Sequence, residues 1–234
     1  MDFNMDLGEG GSHDKVLLNY ATSCNIACGG HAGDAASIVQ TLRWAQAAAV
    51  AVGAHPSYPD RLHFGRKSLP MATGELEASL LEQLGMFAQA LKELNLSWHH
   101  IKPHGALYND LSENVELGNR FISVLGHLQF DGIIYALAGS SWARQLLEAG
   151  YDVWEEAFVD RTYGDSGHLV SRKESHAVLT TAKAVQEQTQ QLLSGYVITH
   201  SGKFLAVSSQ TLCLHSDTPN ATVFAPLVAQ IINA

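Results

Sequence analysis

The residues of this chain that could do chemistry follow apolar segments that end abruptly in polar groups. The clearest case is the run from Leu96 to Ile101, which leads into an ammonium at Lys102 and an imidazole at His104. A glycine at position 105 comes directly after them. This order is typical of a buried parallel strand that delivers ionisable side chains to a site at its carboxyl end.

The same pattern recurs along the chain. Five further apolar segments end in ionisable residues, namely Asp6 with Glu9, His31, His55, Asp160 with Arg161, and His215 with Asp217. In a barrel of parallel strands, the carboxyl ends of all strands meet at one face. The pattern therefore predicts one composite active site.

Two kinds of chemistry remain open for these groups. The carboxylates of Asp6 and Glu9 could be acid–base groups, metal ligands or acceptors for a substrate amide, or they could belong to a solvated loop. The imidazoles of His31, His55, His104 and His215 suit proton transfer near neutral pH and also suit divalent metals. With Asp6 and Asp217 they could form an Asp/His metal site, although no HxxxH or HExxH spacing supports one.

Three cations are candidates for binding an anionic group. Lys102, Arg66 and Arg161 lie in candidate site segments, and such cations suit a carboxylate or a phosphate. The alternatives are structural. Arg66 could be a surface residue, Arg161 could pair with Asp160, and Lys102 could neutralise Asp6 or Glu9.

Helical patterns separate the apolar segments. They predict helices over residues 34–49, 73–94, 112–128, 142–149, 181–193 and 218–232. Strands that alternate with helices indicate a parallel sheet. Counting residues 133–137 as a further strand gives about seven units, which favours an irregular seven-stranded β/α barrel in a single domain over residues 1–234. A β-hairpin is expected within residues 195–214, with its turn at 201–202.

Composition excludes several classes of protein. The net charge of −9 argues against a nucleic-acid partner, which needs a basic surface. No apolar run approaches the roughly 20 residues of a membrane span, and no signal peptide is recognisable, so a cytoplasmic location is expected. The GxxxxGK[ST], GxGxxG and GxSxG motifs are missing. If the reaction uses ATP, another chain is expected to bind it.

Seven segments together resemble a known family. They are residues 4–9, 25–34, 53–56, 64–66, 102–108, 156–170 and 213–219. In the same order, their sequences are NMDLGE, NIACGGHAGD, GAHP, FGR, KPHGALY, a segment that begins with EAFVDR, and CLHSDTP. Their motifs and order resemble the LamB/YcsF family, the A subunit of bacterial 5-oxoprolinase. Met5 stands where that family usually has a cysteine, so no thiol at this position can be essential.

The resemblance implies a fold, an activity and partners. The fold is a barrel akin to those of glycoside hydrolases and deacetylases. The activity is ATP-dependent opening of the lactam 5-oxo-L-proline to L-glutamate, and subunits B and C would supply the ATP site. Whether a divalent metal takes part stays open.

The predicted roles follow from the site segments and the resemblance. Asp6 is the expected base, and His55 and His104 are expected acid–base or orienting groups. The expected substrate-binding residues are Glu9, Asn25, His31, Arg66, Lys102, Asp160, Arg161, His215 and Asp217. The alternatives are a stand-alone metal-dependent amidase or deacetylase built on Asp6, His55 and His104, or a non-catalytic subunit that only binds substrate.

Overall fold

The computed structural model describes residues 1–72 and 74–234, and nine strands form within them. The strands are β1 (Asp2–Leu7), β2 (Ser23–Ala27), β3 (Ala51–His55), β4 (His100–Ile101), β5 (Ile133–Leu137), β6 (Val153–Phe158), β7 (Tyr196–Ile198), β8 (Phe204–Ala206) and β9 (Thr211–His215). Strands β1 to β6 and β9 are parallel and close into a barrel in that order. The predicted seven-stranded β/α barrel is confirmed.

Helices cover the outside of the barrel. They are α1 (Asp14–Leu17), α2 (Ala35–Ala48), α3 (Glu75–Leu94), α4 (Gly105–Glu113), α5 (Val115–Leu128), α6 (Ser141–Glu148), α7 (Ala182–Leu193) and α8 (Ala221–Ile232). Because both faces of a barrel strand are covered, apolar residues fill most strand positions. Polar groups in the strands therefore need partners inside the barrel.

Strand register places the site residues side by side. Asp6 on β1 lies opposite Asn25 on β2 and opposite His215 on β9. On the next strand, Asn25 lies opposite Gly53 of β3. His55 comes two residues after Gly53, at the end of β3. The barrel thus brings groups that are distant in sequence to one end of the sheet.

Two predicted helix starts hold because a capping residue sets them. Asp34 accepts a hydrogen bond from the Ser37 backbone, and Ser37 Oγ accepts one from the Asp34 backbone, so α2 begins with a capping box. Thr181 caps α7 in a similar way, through the backbone N–H of Ala184. The predicted start of α3 at Thr73 lies outside the described residues.

Several elements differ from the prediction. Helix α1 was not predicted, and α5 begins at Val115 and not at residue 112. Strand β4 contains only two residues, because Leu96 still donates to the Leu91 carbonyl at the end of α3. Helix α4 was missed, since few apolar positions mark it in the sequence, although it buries Leu107 and Leu111. Helix α8 begins at Ala221 and not at Thr218, whose hydroxyl donates to the Asp160 carboxylate instead of capping a helix.

The predicted hairpin forms, but it is shorter than residues 195–214. Strands β7 and β8 pair antiparallel, and Gly202 takes a positive φ of 84° between them. Residues from Thr211 onward belong to the barrel. None of the helices built from residues 1–72 and 74–234 could cross a bilayer, since each is too short or too polar.

Gly53 provides a test of packing inside the barrel. A Cβ at this position would lie 2.3 Å from the ring of His100, which is fully buried and stacked on Tyr135 with ring centroids 4.0 Å apart. We expect Gly53→Ala to lower the free energy of unfolding by about 1–3 kcal/mol, the usual cost of overpacking. Denaturant unfolding measures this change.

The matched control is Gly85→Ala. Gly85 lies exposed in helix α3, and nothing lies within 4 Å of a Cβ added there. This substitution should raise the free energy of unfolding by roughly 0.5–1 kcal/mol, since alanine favours a helix over glycine. Equal effects at the two positions would contradict the packing argument.

Candidate active site

A cavity of about 470 Å³ opens at the carboxyl ends of the barrel strands. Seven of the residues predicted for the site line it, namely Asp6, His55, Arg66, Lys102, His104, Arg161 and His215. The structure therefore brings together groups from five barrel strands and the loops that follow them. Glu9, His31, Asn25, Asp160 and Asp217 lie behind or beside these groups.

An ion network closes the floor of the cavity. The Lys102 ammonium lies 2.9 Å from Asp6 Oδ1 and 2.8 Å from Glu156 Oε1, and these three side chains are at most 4% exposed. Burial would raise the pKa of the Asp6 carboxyl, but His55 and Lys102 hold it well below its usual range. Asp6 is therefore ionised at neutral pH.

The contacts of Lys102 match the counter-ion alternative. Besides the two carboxylates, its ammonium lies 3.2 Å from Asn4 Oδ1 and 3.1 Å from Cys213 Sγ. An ammonium has three donors, and these four protein groups engage them all. Lys102 thus positions Asp6 more directly than it could bind a substrate anion.

Asn25 also positions Asp6. Its amide nitrogen donates to Asp6 Oδ1 and to Asn4 Oδ1, both at 2.8 Å, and its oxygen lies 2.7 Å from His100 Nε2. The side chain is fully buried below the cavity. Asn25 thus makes its contacts within the protein and holds Asp6 in place.

The second oxygen of Asp6 faces two imidazoles. Asp6 Oδ2 lies 3.5 Å from His55 Nε2 and 4.0 Å from His215 Nε2. The opposite nitrogen of His215, Nδ1, lies 3.1 Å from both oxygens of Asp160. Burial would raise the pKa of Asp160, yet His215 and Thr218 hold that pKa at about 2, so a permanent anion orients the His215 ring.

Three histidines and Glu9 form a cluster beside Asp6. Glu9 Oε1 lies 3.0 Å from His31 Nε2, 3.4 Å from His104 Nδ1 and 3.9 Å from His55 Nε2. Burial, and then the charge of Asp6, raise the pKa of Glu9 well above its usual range. Burial, followed by the neighbouring imidazoles, lowers the pKa of both His31 and His104.

Cationic side chains surround the cavity mouth. Arg66 pairs with Asp217 and lies over the Phe64 ring, 4.9 Å from its centroid. Arg161 donates to the carbonyls of Ala177 and Val170, and no ion pair with Asp160 forms among the described residues. Both arginines line the cavity.

Sequence reasoning missed several residues of the site. Glu156, Tyr108, Arg172 and Lys173 were not chosen, although Tyr108 and the two cations line the cavity. The position of Glu156 in the middle of strand β6 was the signal that could have identified it. A carboxylate buried in a barrel strand must face a partner. Arg172 and Lys173 lie in a long loop that carries no periodic signal.

Comparisons with known proteins agree with this geometry. The LamB/YcsF family model matches residues 1–234. The lactam utilization protein from Thermus thermophilus is 33% identical and superposes with a TM-score of 0.91, over 100% of this chain and 96% of that one. The predicted family and barrel are thus confirmed.

More distant structures share the barrel alone. The pneumococcal virulence factor StrH matches with a TM-score of 0.55 at 9% identity, over 97% of this chain and 82% of that one. A glycoside hydrolase family 20 β-N-acetylglucosaminidase matches with a TM-score of 0.52 at 10% identity, over 97% of this chain and 67% of that one.

Lys102→Met tests the ion network. The variant keeps the aliphatic stem but leaves Asp6 and Glu156 buried without their shared cation. We expect the free energy of unfolding to fall by about 3–5 kcal/mol, as when one partner of a buried ion pair is removed. Lys183→Met is the control, because Lys183 is 85% exposed and its 3.7 Å contact with Glu187 lies on the surface. Similar melting temperatures for both variants would contradict the assignment.

Glu9→Gln tests what it costs the folded chain to ionise the buried Glu9 carboxyl. The protein is first treated with a chelator, so that no bound metal ion contributes. Below about pH 4.3, Glu9 is protonated in the folded and unfolded chains and its ionisation costs nothing. Above that pH the unfolded chain ionises while burial opposes ionisation in the folded chain, so the wild type loses stability as pH rises. We expect Glu9→Gln to melt at a higher temperature at pH 7 and at the same temperature at pH 3.5.

Glu93→Gln provides the matched control. Glu93 is exposed on helix α3, where its carboxylate accepts a bond from Gln89. Its variant should melt like the wild type at both pH values. A Glu9→Gln protein that is less stable at pH 7 would show that the carboxylate charge stabilises the metal-free fold.

Proposed function

This chain belongs to the LamB/YcsF family, and from that membership and the cavity geometry we propose that it opens the lactam ring of 5-oxo-L-proline to give L-glutamate. It would act as one subunit of an ATP-dependent 5-oxoprolinase, with subunits B and C as partners. The similarity to a lactam utilization protein supports a cyclic amide as the substrate class.

One observation carries the proposal. Asp6 Oδ2 lies at the cavity floor between His55 and His215, while Lys102 holds the other oxygen of the same carboxylate. Amide hydrolysis needs a base beside the attacking water and an acid beside the departing nitrogen. A fixed carboxylate with an imidazole on each side provides both.

The residues suggest a division of roles. Asp6 accepts the proton of the attacking water, and His55 orients that water. His215 enters the step as an imidazolium, a form that the Asp160 anion stabilises. It gives its proton to the ring nitrogen as the C–N bond breaks and is left as the neutral imidazole. His104 lies behind His55, with its Nδ1 3.0 Å from His55 Nε2.

The cationic mouth suits an anionic substrate. Arg66, Arg161, Arg172 and Lys173 line the opening, and cations placed there stabilise negative charge on a bound carboxylate or phosphate. 5-Oxoproline carries a carboxylate, and a lactam phosphorylated on its oxygen would add a second anionic group. Phosphorylation would also turn a poor electrophile into an imidate-like group. Water attack followed by C–N cleavage would leave an acyl phosphate, and a second water would release phosphate and give L-glutamate.

Partners are proposed because the chemistry needs ATP. The sequence has no phosphate-binding glycine loop of the GxxxxGK[ST] type. Subunits B and C would therefore bind ATP and activate the lactam oxygen. This chain would supply the hydrolytic groups.

The proposal is tested by measuring glutamate formation with purified subunits. The chain alone should not convert 5-oxoproline, with or without ATP, whereas the chain with subunits B and C and ATP should. Asp6→Asn in the complete complex should lower the rate by a factor of about 100 or more, as for loss of a general base.

Asp131→Asn is the matched control, because Asp131 is exposed at the opposite, amino-terminal end of β5. Its complex should keep the wild-type rate. Melting curves and gel filtration establish that the Asp6 variant folds and assembles. ATP-dependent turnover by the isolated chain, or a normal rate for the folded Asp6 variant, would refute the proposal.

A further inference from the structure

The contact between His55 and His104 requires an explanation that acid–base roles alone do not give. His55 Nδ1 lies 2.7 Å from the Lys102 carbonyl oxygen, and His104 Nε2 lies 2.9 Å from that of Phe64. Because a carbonyl oxygen only accepts, both of these nitrogens carry protons. In the neutral rings, His55 Nε2 and His104 Nδ1 are then unprotonated, and they face each other at 3.0 Å.

Two lone pairs at this distance repel each other unless a cation lies between or beside them. The carboxylate of Glu9 faces the same point, 3.4 Å from His104 Nδ1 and 3.9 Å from His55 Nε2. We propose that Glu9, His55 and His104 bind one divalent transition-metal ion, with Zn²⁺ the best match to this donor set. Two imidazoles and one carboxylate, with a fourth position left open, are the ligands of a catalytic zinc site.

The distances fit such an ion. Zn–N and Zn–O bonds of about 2.0–2.2 Å in a tetrahedron separate the ligand atoms by roughly 3.3–3.6 Å. The three separations here are 3.0, 3.4 and 3.9 Å, which bracket that range. The rings of His55 and His104 are almost perpendicular, at 83°, so their lone pairs can converge on one point.

His31 supports the site but is not one of its ligands. Its ring stacks on His104, parallel within 4° and with centroids 3.6 Å apart, so the two ring planes cannot meet at one ion. His31 Nε2 instead lies 3.0 Å from Glu9 Oε1, where it can donate a hydrogen bond and orient the carboxylate.

The remaining contacts of the ligands match those of metal sites. Metal-bound histidines usually donate their other ring N–H to a carbonyl or a carboxylate, and bound carboxylates are themselves hydrogen-bonded. His55 and His104 each donate to a backbone carbonyl, and Glu9 has His31. Every outer partner that such a site needs is therefore present.

Charge balance also favours a dication. The side chains of Asp6, Glu9 and Glu156 are at most 6% exposed, and the only ammonium among them is that of Lys102. With Glu9 ionised, as a metal ligand has to be, three buried carboxylates beside one buried ammonium leave an excess of two negative charges. Buried charges are costly unless they are paired or bind metals.

The metal site deepens the proposed hydrolytic function and rests on it for its chemical role. A bound Zn²⁺ lowers the pKa of its water to about 7. Asp6 is a weak base, and a water acidified in this way is one from which such a base can take a proton. Asp6 Oδ2 lies 3.5 Å from His55 Nε2, close enough to take a proton from a water held beside that ligand.

The test measures metal binding and does not depend on turnover. The full chain, stripped with a chelator, is titrated with Zn²⁺ by calorimetry and with Co²⁺ by visible absorption. We expect one site per chain and no competition from Mg²⁺, which prefers oxygen ligands. His104→Ala and Glu9→Gln should each weaken binding by about 100-fold or more, because loss of an outer partner alone costs roughly 10–100-fold.

The control removes another histidine pair. His176 and His200 are exposed, and their ring centroids lie 5.9 Å apart, so they could hold a surface ion. The double variant His176→Ala with His200→Ala should bind Zn²⁺ like the wild type. Glu9→Gln preserves side-chain shape, and its melting curve establishes that it folds even where His104→Ala does not.

Three results would overturn the metal site. They are absence of Zn²⁺ binding by the wild type, unchanged affinity in a folded Glu9→Gln protein, and loss of binding in the exposed double variant. In the first case the His55–His104 contact would hold a shared proton. Zn²⁺ binding without lactam turnover by the complete complex would retain the site and refute the proposed function. Turnover by the metal-free complex would retain the function and refute the chemical role given to the metal.

Discussion

The interaction on which the structure depends is the buried ammonium of Lys102 between two carboxylates. Asp6 lies on β1, Glu156 on β6 and Lys102 directly after β4, so one ammonium links three strands across the barrel interior. Such a group stabilises the fold only with every partner in place, since an unpaired buried charge costs several kcal/mol. The cavity floor is therefore rigid, and its geometry is fixed before any substrate arrives.

Although the cavity floor is rigid, one oxygen of Asp6, Oδ2, makes no short contact. Lys102 and Asn25 hold Asp6 Oδ1, while Oδ2 has only the longer contacts with His55 and His215. The two oxygens of a single carboxylate thus have different surroundings, and the proposed reaction uses the one that Lys102 and Asn25 do not hold. A preorganised group of this kind needs no rearrangement during the reaction.

Two sets of imidazoles extend from that oxygen in different directions. On one side Asp160 orients His215, and the pair resembles an acid held ready by a permanent anion. On the other side Glu9, His55 and His104 converge, with His55 Nε2 and His104 Nδ1 3.0 Å apart. His215 faces a carboxylate, whereas His55 and His104 each face a backbone carbonyl. These different partners give similar side chains different chemical properties. Proteins that share only the barrel fold need not share either of these two groups of imidazoles.

The sequence by itself determined the barrel, because alternating apolar and amphipathic segments leave few other ways to bury both strand faces. It also identified most ionisable residues at the cavity, since Asp6, His55 and His104 each follow or end a strand. It could not assign roles. Lys102, expected either to bind substrate or to neutralise Asp6 or Glu9, contacts Asp6 and Glu156, and Asn25 is buried beneath the cavity.

Only the tertiary structure decided those roles, because they depend on distances across the barrel. The 3.0 Å approach of His55 and His104 joins residues 49 positions apart, and their proton positions depend on which carbonyl each ring meets. Sequence periodicity reports which face of a strand or helix is buried, and that is a local property. Partner choice among buried charges is set by how the closed barrel brings distant strands together.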